Sequence, residues 1–220
     1  MSEELPRLVI FDCDGVLVDS EPPTTEVILA SFARYGLVMS YDEADSLFVG
    51  GTMKGCEAEA RARGAALPDD WLAEIYGEIH ARLRQGVPLI DGIDALMDAL
   101  DGAGVPYCVG SNGSEAKMGI TLAPSGLLQR VEGRIYSAHT LGVAKPDPGL
   151  FLRAAADFGV APEDCVVVDD SPAGCTAGVR AGMRTIGFAE TTDPARLAAV
   201  GATPVRSMAE VAQAIGLRLT

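Results

Sequence analysis

Short apolar runs that end abruptly in polar or glycine-containing turns recur along this chain, and they constrain its fold more than any other feature. They are Leu8–Phe11, Tyr107–Val109, Ile135–Tyr136, Cys165–Val168 and Thr185–Phe188. A strand with one wet face alternates apolar and polar residues. An unbroken apolar run instead suits a strand covered on both faces, as in a parallel sheet. Helical patterns separate these runs at Ile93–Ala103, Glu115–Ala123, Gly149–Phe158 and Gly174–Ala181. Strands alternating with helices predict an α/β fold with a doubly wound, Rossmann-like parallel sheet.

The alternation breaks once. From Glu21 to Gly86 helical pieces follow one another without a convincing strand: Thr25–Tyr35, Tyr41–Leu47, Cys56–Arg63 and Asp69–Arg84, separated by Gly36, Gly50-Gly51 and Pro68. The expected organisation is an α/β core made of residues 1–16 and 88–220, with an all-helical domain inserted at 17–87. Pro88-Leu89-Ile90-Asp91-Gly92 reads as the return hinge.

Charge and composition narrow the chemistry. A formal net charge of −14 disfavours nucleic acid and anionic membrane surfaces as partners. No run of about 18 apolar residues suggests a membrane span. Met1-Ser2-Glu3-Glu4 does not read as a signal peptide, so a cytoplasmic location is expected. Five cysteines, an odd number without a CxxC pair, do not suggest a disulfide framework or structural zinc. With only His80 and His139 present, carboxylates are the better candidates for acid–base and metal chemistry. Nothing requires a partner protein, and a monomer or weak homo-oligomer is expected.

Ligands of open parallel sheets bind at the carboxyl ends of the strands. The first strand runs into Asp12-Cys13-Asp14-Gly15 and the fourth into Asp169-Asp170-Ser171. If these strands are neighbours, four carboxylates converge. Like charges so close repel, and a hard cation such as Mg2+, which prefers oxygen ligands, resolves the conflict. The second strand ends in Ser111-Asn112-Gly113-Ser114 before a helix, where a hydroxyl and free backbone N–H groups make an anion cradle. Lys145 lies in a loop stiffened by Pro146 and Pro148. Together these groups describe a site for moving phosphate.

The strings Asp12-Cys13-Asp14-Gly15-Val16-Leu17-Val18-Asp19-Ser20, Ser111-Asn112-Gly113, Lys145-Pro146-Asp147-Pro148 and Asp169-Asp170-Ser171-Pro172-Ala173-Gly174 resemble, in order, the four motifs of the haloacid dehalogenase superfamily. The resemblance spans roughly Leu8 to Phe188. It implies that Asp12 is a nucleophile forming an aspartyl-phosphate, and that Asp14 is the general acid and base. It implies a magnesium site from the Asp12 and Asp170 carboxylates and the Asp14 backbone carbonyl, with Asp169 acting through a bound water. Ser111, the Asn112 backbone amide and Lys145 would hold phosphoryl oxygens.

The helical insert is similar in position and type to the cap of the phosphoglycolate phosphatase and β-phosphoglucomutase subgroup. There the cap closes over the site and selects the substrate. Thr52 and Lys54, in the Gly50-Gly51-Thr52-Met53-Lys54 loop, occupy the specificity positions of such caps. The β-phosphoglucomutases carry a hinge histidine and a loop arginine where this chain has Thr24 and Met53, which counts against a mutase. The chain most resembles capped phosphatases of sugar phosphates, including 6-phosphogluconate. The resemblance thus implies a small phosphorylated metabolite as substrate. A phosphomutase and a non-catalytic binding module on the same fold are the alternatives.

Overall fold

The computed structural model describes residues 5–48 and 53–219. Six parallel strands form its sheet: β1 (Leu8–Phe11), β2 (Tyr107–Ser111), β3 (Ile135–Ser137), β4 (Cys165–Asp169), β5 (Arg184–Phe188) and β6 (Thr203–Val205). Their order is β3-β2-β1-β4-β5-β6, the doubly wound arrangement expected from the alternation of strands and helices. β1 is central, with Phe11 opposite Val109 of β2 and Val168 of β4. That register brings the residues just past β1, β2 and β4 to one edge of the sheet. The strand order reverses at β1, which makes this edge the topological switch point.

Residue contacts divide the chain into two compact units, Ser20–Val87 and Met1–Asp19 with Pro88–Thr220. In the first, α1 (Glu21–Arg34), α2 (Tyr41–Phe48), α3 (Met53–Ala62) and α4 (Trp71–Leu83) follow one another. α1 starts earlier than the sequence pattern suggested, because Pro22 and Pro23 fall in its first turn, where no helical N–H is needed. α1 packs on α4. The Trp71 ring stacks on Phe32 at 5.5 Å between centroids, and its buried indole N–H donates to Ser31 Oγ at 2.9 Å. This satisfies the one polar atom of a fully buried tryptophan.

In the sheet-bearing unit the helices are α5 (Ile93–Ala103), α6 (Glu115–Leu122), α7 (Leu127–Arg130), α8 (Ala138–Leu141), α9 (Gly149–Phe158), α10 (Pro172–Arg180), α11 (Pro194–Ala198) and α12 (Met208–Ala214). All four residues of β1 are fully buried, so both faces of the sheet are covered. Leu8, Ile10, Cys108, Cys165 and Val167 cluster with Phe151 and Ala154 of α9 and Ala177 of α10. Phe151 lies close against Gly110 of β2, where an added Cβ would approach its ring to 3.0 Å. α12 packs on β5 and on α5.

β6 escaped the sequence reading for a physical reason. It has three residues and a central proline, which lacks the N–H that an interior strand must donate; only an edge position tolerates it. The return from the helical unit is fixed by Val18, which bridges Leu89 antiparallel, and by the Asp19 N–H donating to the Pro88 carbonyl at 2.9 Å.

Candidate active site

Asp12 follows β1 directly, and its backbone N–H still donates to the Val168 carbonyl of β4 at 2.9 Å. The sheet therefore fixes its direction. Lys145, on the loop before α9, has a side chain only 3% exposed. Its Nζ donates to Asp12 Oδ1 and to Asp169 Oδ2, both at 2.7 Å, and sits 5.2 Å above the Phe151 ring. A buried ammonium between two carboxylates and an aromatic face has one well-defined place.

Burial pushes the Asp12 carboxyl up to about 6; Lys145 opposes the shift, and the charges of Asp169 and Asp14 add to it. For Lys145, burial favours the neutral amine, but the Asp12 and Asp169 carboxylates outweigh it and hold the ammonium above its ordinary range.

Asp169 is fully buried. Its Oδ1 accepts from the Ser171 N–H at 2.9 Å and from the Ser171 hydroxyl at 2.8 Å. Ser171 Oγ in turn accepts from the Gly174 N–H at 3.0 Å, so one residue both caps α10 and orients Asp169. Gly15 adopts φ +78°, and a Cβ there would fall 2.3 Å from Asp170 Oδ2. Only a glycine leaves room for Asp170 against the turn after β1.

Asp12, Asp169 and Asp170 each present one oxygen, and the three oxygens lie within 4.8 Å of one another. A single lysine does not neutralise three carboxylates. An all-oxygen donor set of this charge fits a hard divalent cation.

Ser111 ends β2 with its side chain buried, and its Oγ accepts from the Gly113 N–H at 3.0 Å. Ser137 of β3 donates to the Gly113 carbonyl at 2.7 Å and steadies the same loop. Asn112 does something the sequence did not reveal. Its side-chain carbonyl accepts from the Lys145 backbone N–H at 2.9 Å, and its amide donates to the Lys145 carbonyl at 3.4 Å. The Asn112 amide thus ties the lysine loop to the β2 loop.

Asp14 binds Lys117 of α6, with Nζ 2.7 Å from Oδ2. Lys117 was missed in the sequence, although a signal was there. It is the third residue after the N-cap Ser114, and a cation in a first helical turn opposes the helix dipole unless an anion compensates it.

The structure thus gathers Asp12, Asp14, Ser111, Asn112, Lys145, Asp169 and Asp170 at one sheet edge. Cys13, between the two aspartates, is buried, with its sulfur 4.0 Å from Thr121 Oγ1. Thr52 lies outside the described residues, and Lys54 is exposed on α3. Thr24 spends its hydroxyl on the Ser20 carbonyl at 2.7 Å within α1. His139 is exposed. No helix among the described residues is long and apolar enough to cross a membrane.

A family model described as haloacid dehalogenase-like hydrolase matches residues 6–182. The chain is 32% identical over 182 residues to a 6-phosphogluconate phosphatase of Escherichia coli K12, covering 82% of this chain and 81% of that protein. It is also 32% identical over 192 residues to a phosphoglycolate phosphatase of Xylella fastidiosa 9a5c, covering 83% and 80%. Among solved structures it is similar to a HAD family hydrolase of Deinococcus radiodurans R1 with bound phosphate and sodium, at TM-score 0.84, 32% identity and 96% coverage of both chains.

Proposed function

Because the chain belongs to the haloacid dehalogenase-like hydrolase family and its relatives are phosphoric monoester hydrolases, we propose that it hydrolyses a small sugar or sugar-acid phosphate through a phosphorylated Asp12, with magnesium as cofactor. The observation that carries this reading is Asp12 itself. It stands at the switch point of the sheet, with one oxygen held by the buried Lys145 and the carboxylates of Asp169 and Asp170 beside it.

The Asp12 and Asp170 carboxylates and the Asp14 backbone carbonyl would hold the cation, with Asp169 beside them. When bound, the cation supplies charge stabilisation for the phosphoryl group and offsets the repulsion among the carboxylates. Asp12 attacks phosphorus in line, so an Asp12 oxygen–phosphorus bond forms as the ester P–O bond breaks. The leaving alkoxide takes a proton from Asp14. Asp14 then takes a proton from the water that attacks the same phosphorus, which releases inorganic phosphate and restores both aspartates. Ser111, the Asn112 backbone N–H and Lys145 hold the phosphoryl oxygens throughout. The helical unit acts as the substrate-selecting cap, with Thr52 and Lys54 as candidate contacts to the organic part of the substrate.

The test is phosphate release from a panel of phosphorylated metabolites, with magnesium and with chelator, for the wild-type chain and Asp12→Asn. Magnesium-dependent release that disappears in the variant supports the reading, and the ranking of substrates names the class. Activity that survives in Asp12→Asn sinks it. Turnover only in the presence of a sugar bisphosphate would point to the mutase instead.

A further inference from the structure

The four site aspartates do not all cluster. Asp12, Asp169 and Asp170 bring oxygens within 4.8 Å of one another, whereas the Asp14 carboxylate, two residues from Asp12, is not in that group. It pairs with Lys117 at 2.7 Å, beside the loop after β2. A Cβ added to Gly113 would sit 3.9 Å from Asp14 Oδ2 and 3.8 Å from Lys117 Cδ, so the lysine stem and the carboxylate flank the same glycine.

The lysine is rooted at both ends. Its backbone N–H donates to the N-cap Ser114 Oγ at 3.2 Å, and its side chain is 31% exposed, opposite a carboxylate 26% exposed. The other site lysine cannot substitute, since Lys145 is committed to Asp12 and Asp169.

We infer that Lys117 is a positioning residue, whose ammonium holds the Asp14 carboxylate on the α6 side of the site, apart from Asp12, Asp169 and Asp170. The inference rests on the reading of Asp14 as the proton carrier. A carboxylate that joined the other three would face a bound cation rather than the ester oxygen and the water. Lys117 keeps it aimed at proton transfer. The division of labour is spatial, with Lys145 serving the phosphorylated aspartate and Lys117 serving the proton carrier.

A double-mutant cycle on the full chain tests this, with magnesium and β-glycerophosphate as the probe, an alkyl phosphate whose leaving alkoxide needs a proton. Lys117→Met should lower kcat by about tenfold or more and leave KM within roughly twofold, the pattern of a group that acts only after binding. Lys117→Arg, which keeps the charge and approximate reach, should restore kcat to within about threefold, as a folding defect would not. In an Asp14→Asn background, Lys117→Met should change kcat by less than about twofold, because nothing remains for the lysine to position. Equal losses in both backgrounds, or a loss confined to KM, would overturn the inference and assign Lys117 to the phosphate or to general charge. Asp14→Asn with wild-type kcat would instead overturn the acid–base reading on which the inference stands.

Discussion

Replacing Gly174 by alanine sets helix propensity against the geometry of the site, and the two make opposite predictions. Gly174 lies in α10, where alanine is intrinsically better than glycine by up to about 1 kcal/mol. A Cβ built there would fall 1.8 Å from Asp169 Oδ2 and 2.0 Å from its Cγ. The carboxylate cannot swing aside freely. It is fully buried and accepts from Lys145 Nζ, the Ser171 N–H and the Ser171 hydroxyl.

Relief therefore means moving the helix, or breaking charge-assisted bonds worth about 1.5–3 kcal/mol each. Overpacking adds about 1–3 kcal/mol. The net destabilisation should be about 2–5 kcal/mol, or roughly 5–15 °C in Tm for a chain of this size. Gly119→Ala in α6 is the control. No neighbour lies within 4 Å of its added Cβ, so propensity alone should act and Tm should rise by about 2–4 °C. Thermal denaturation followed by circular dichroism, with phosphate release alongside, measures both variants. A Gly174→Ala protein as stable and active as wild type would refute the claim that α10 must touch Asp169.

Lys145→Met leaves Asp12 and Asp169 buried without their shared cation. It should destabilise the chain by about 3–5 kcal/mol in urea denaturation and lower kcat at least about 100-fold; a variant with unchanged stability would contradict the buried pairing. Asp170→Asn should raise the magnesium concentration needed for half-activation by about tenfold or more. Unchanged activation would remove Asp170 from the cation site. All five cysteines are buried, and burial pushes the Cys56 thiol to about 12 and the Cys165 thiol to about 11. The thiolate is the reactive form and pH 8 lies well below both values, so Ellman's reagent should find less than about one thiol per native chain. It should find all five after denaturation. Prompt reaction of several native thiols would contradict this packing.

Much of this arrangement is legible in the sequence because the informative residues sit where strands end. Leu8–Phe11 reads as a buried strand on composition alone, and topology then places the adjoining turn, Asp12 to Gly15. Legibility failed in two ways. Short or proline-bearing elements carry too little periodicity, as with β6 and the four-residue α7 and α8. The start of α12 had a signal, since Ser207 and Glu210 are spaced as in a capping box. Ser207 Oγ accepts from the Glu210 N–H, and Glu210 accepts from the Arg206 N–H. The second failure concerns side chains that work across distant segments. Asn112 and the Lys145 backbone it binds are 33 positions apart, and Lys117 and Asp14 are 103 apart. No local pattern reports such pairs; only the sheet, which sets β2 between β1 and β3, brings them together.

Charge explains why this edge of an acidic chain suits an anionic ester. At formal charges, Asp12, Asp14, Asp169 and Asp170 carry four negative charges against the two positive charges of Lys117 and Lys145. Two negatives remain, enough to repel a phosphate dianion at close range. A divalent cation held by Asp12 and Asp170, with Asp169 beside it, would bring the total to zero. On the proposed reading, the Ser111 hydroxyl and the Asn112 backbone N–H then supply the attraction. The lysines cannot replace the cation, since each is already bonded to an aspartate. On the proposed function, the ratio of aspartates to lysines at this edge predicts that a divalent cation is needed for the binding of phosphate as well as for its transfer, which phosphate binding measured with magnesium and with chelator checks.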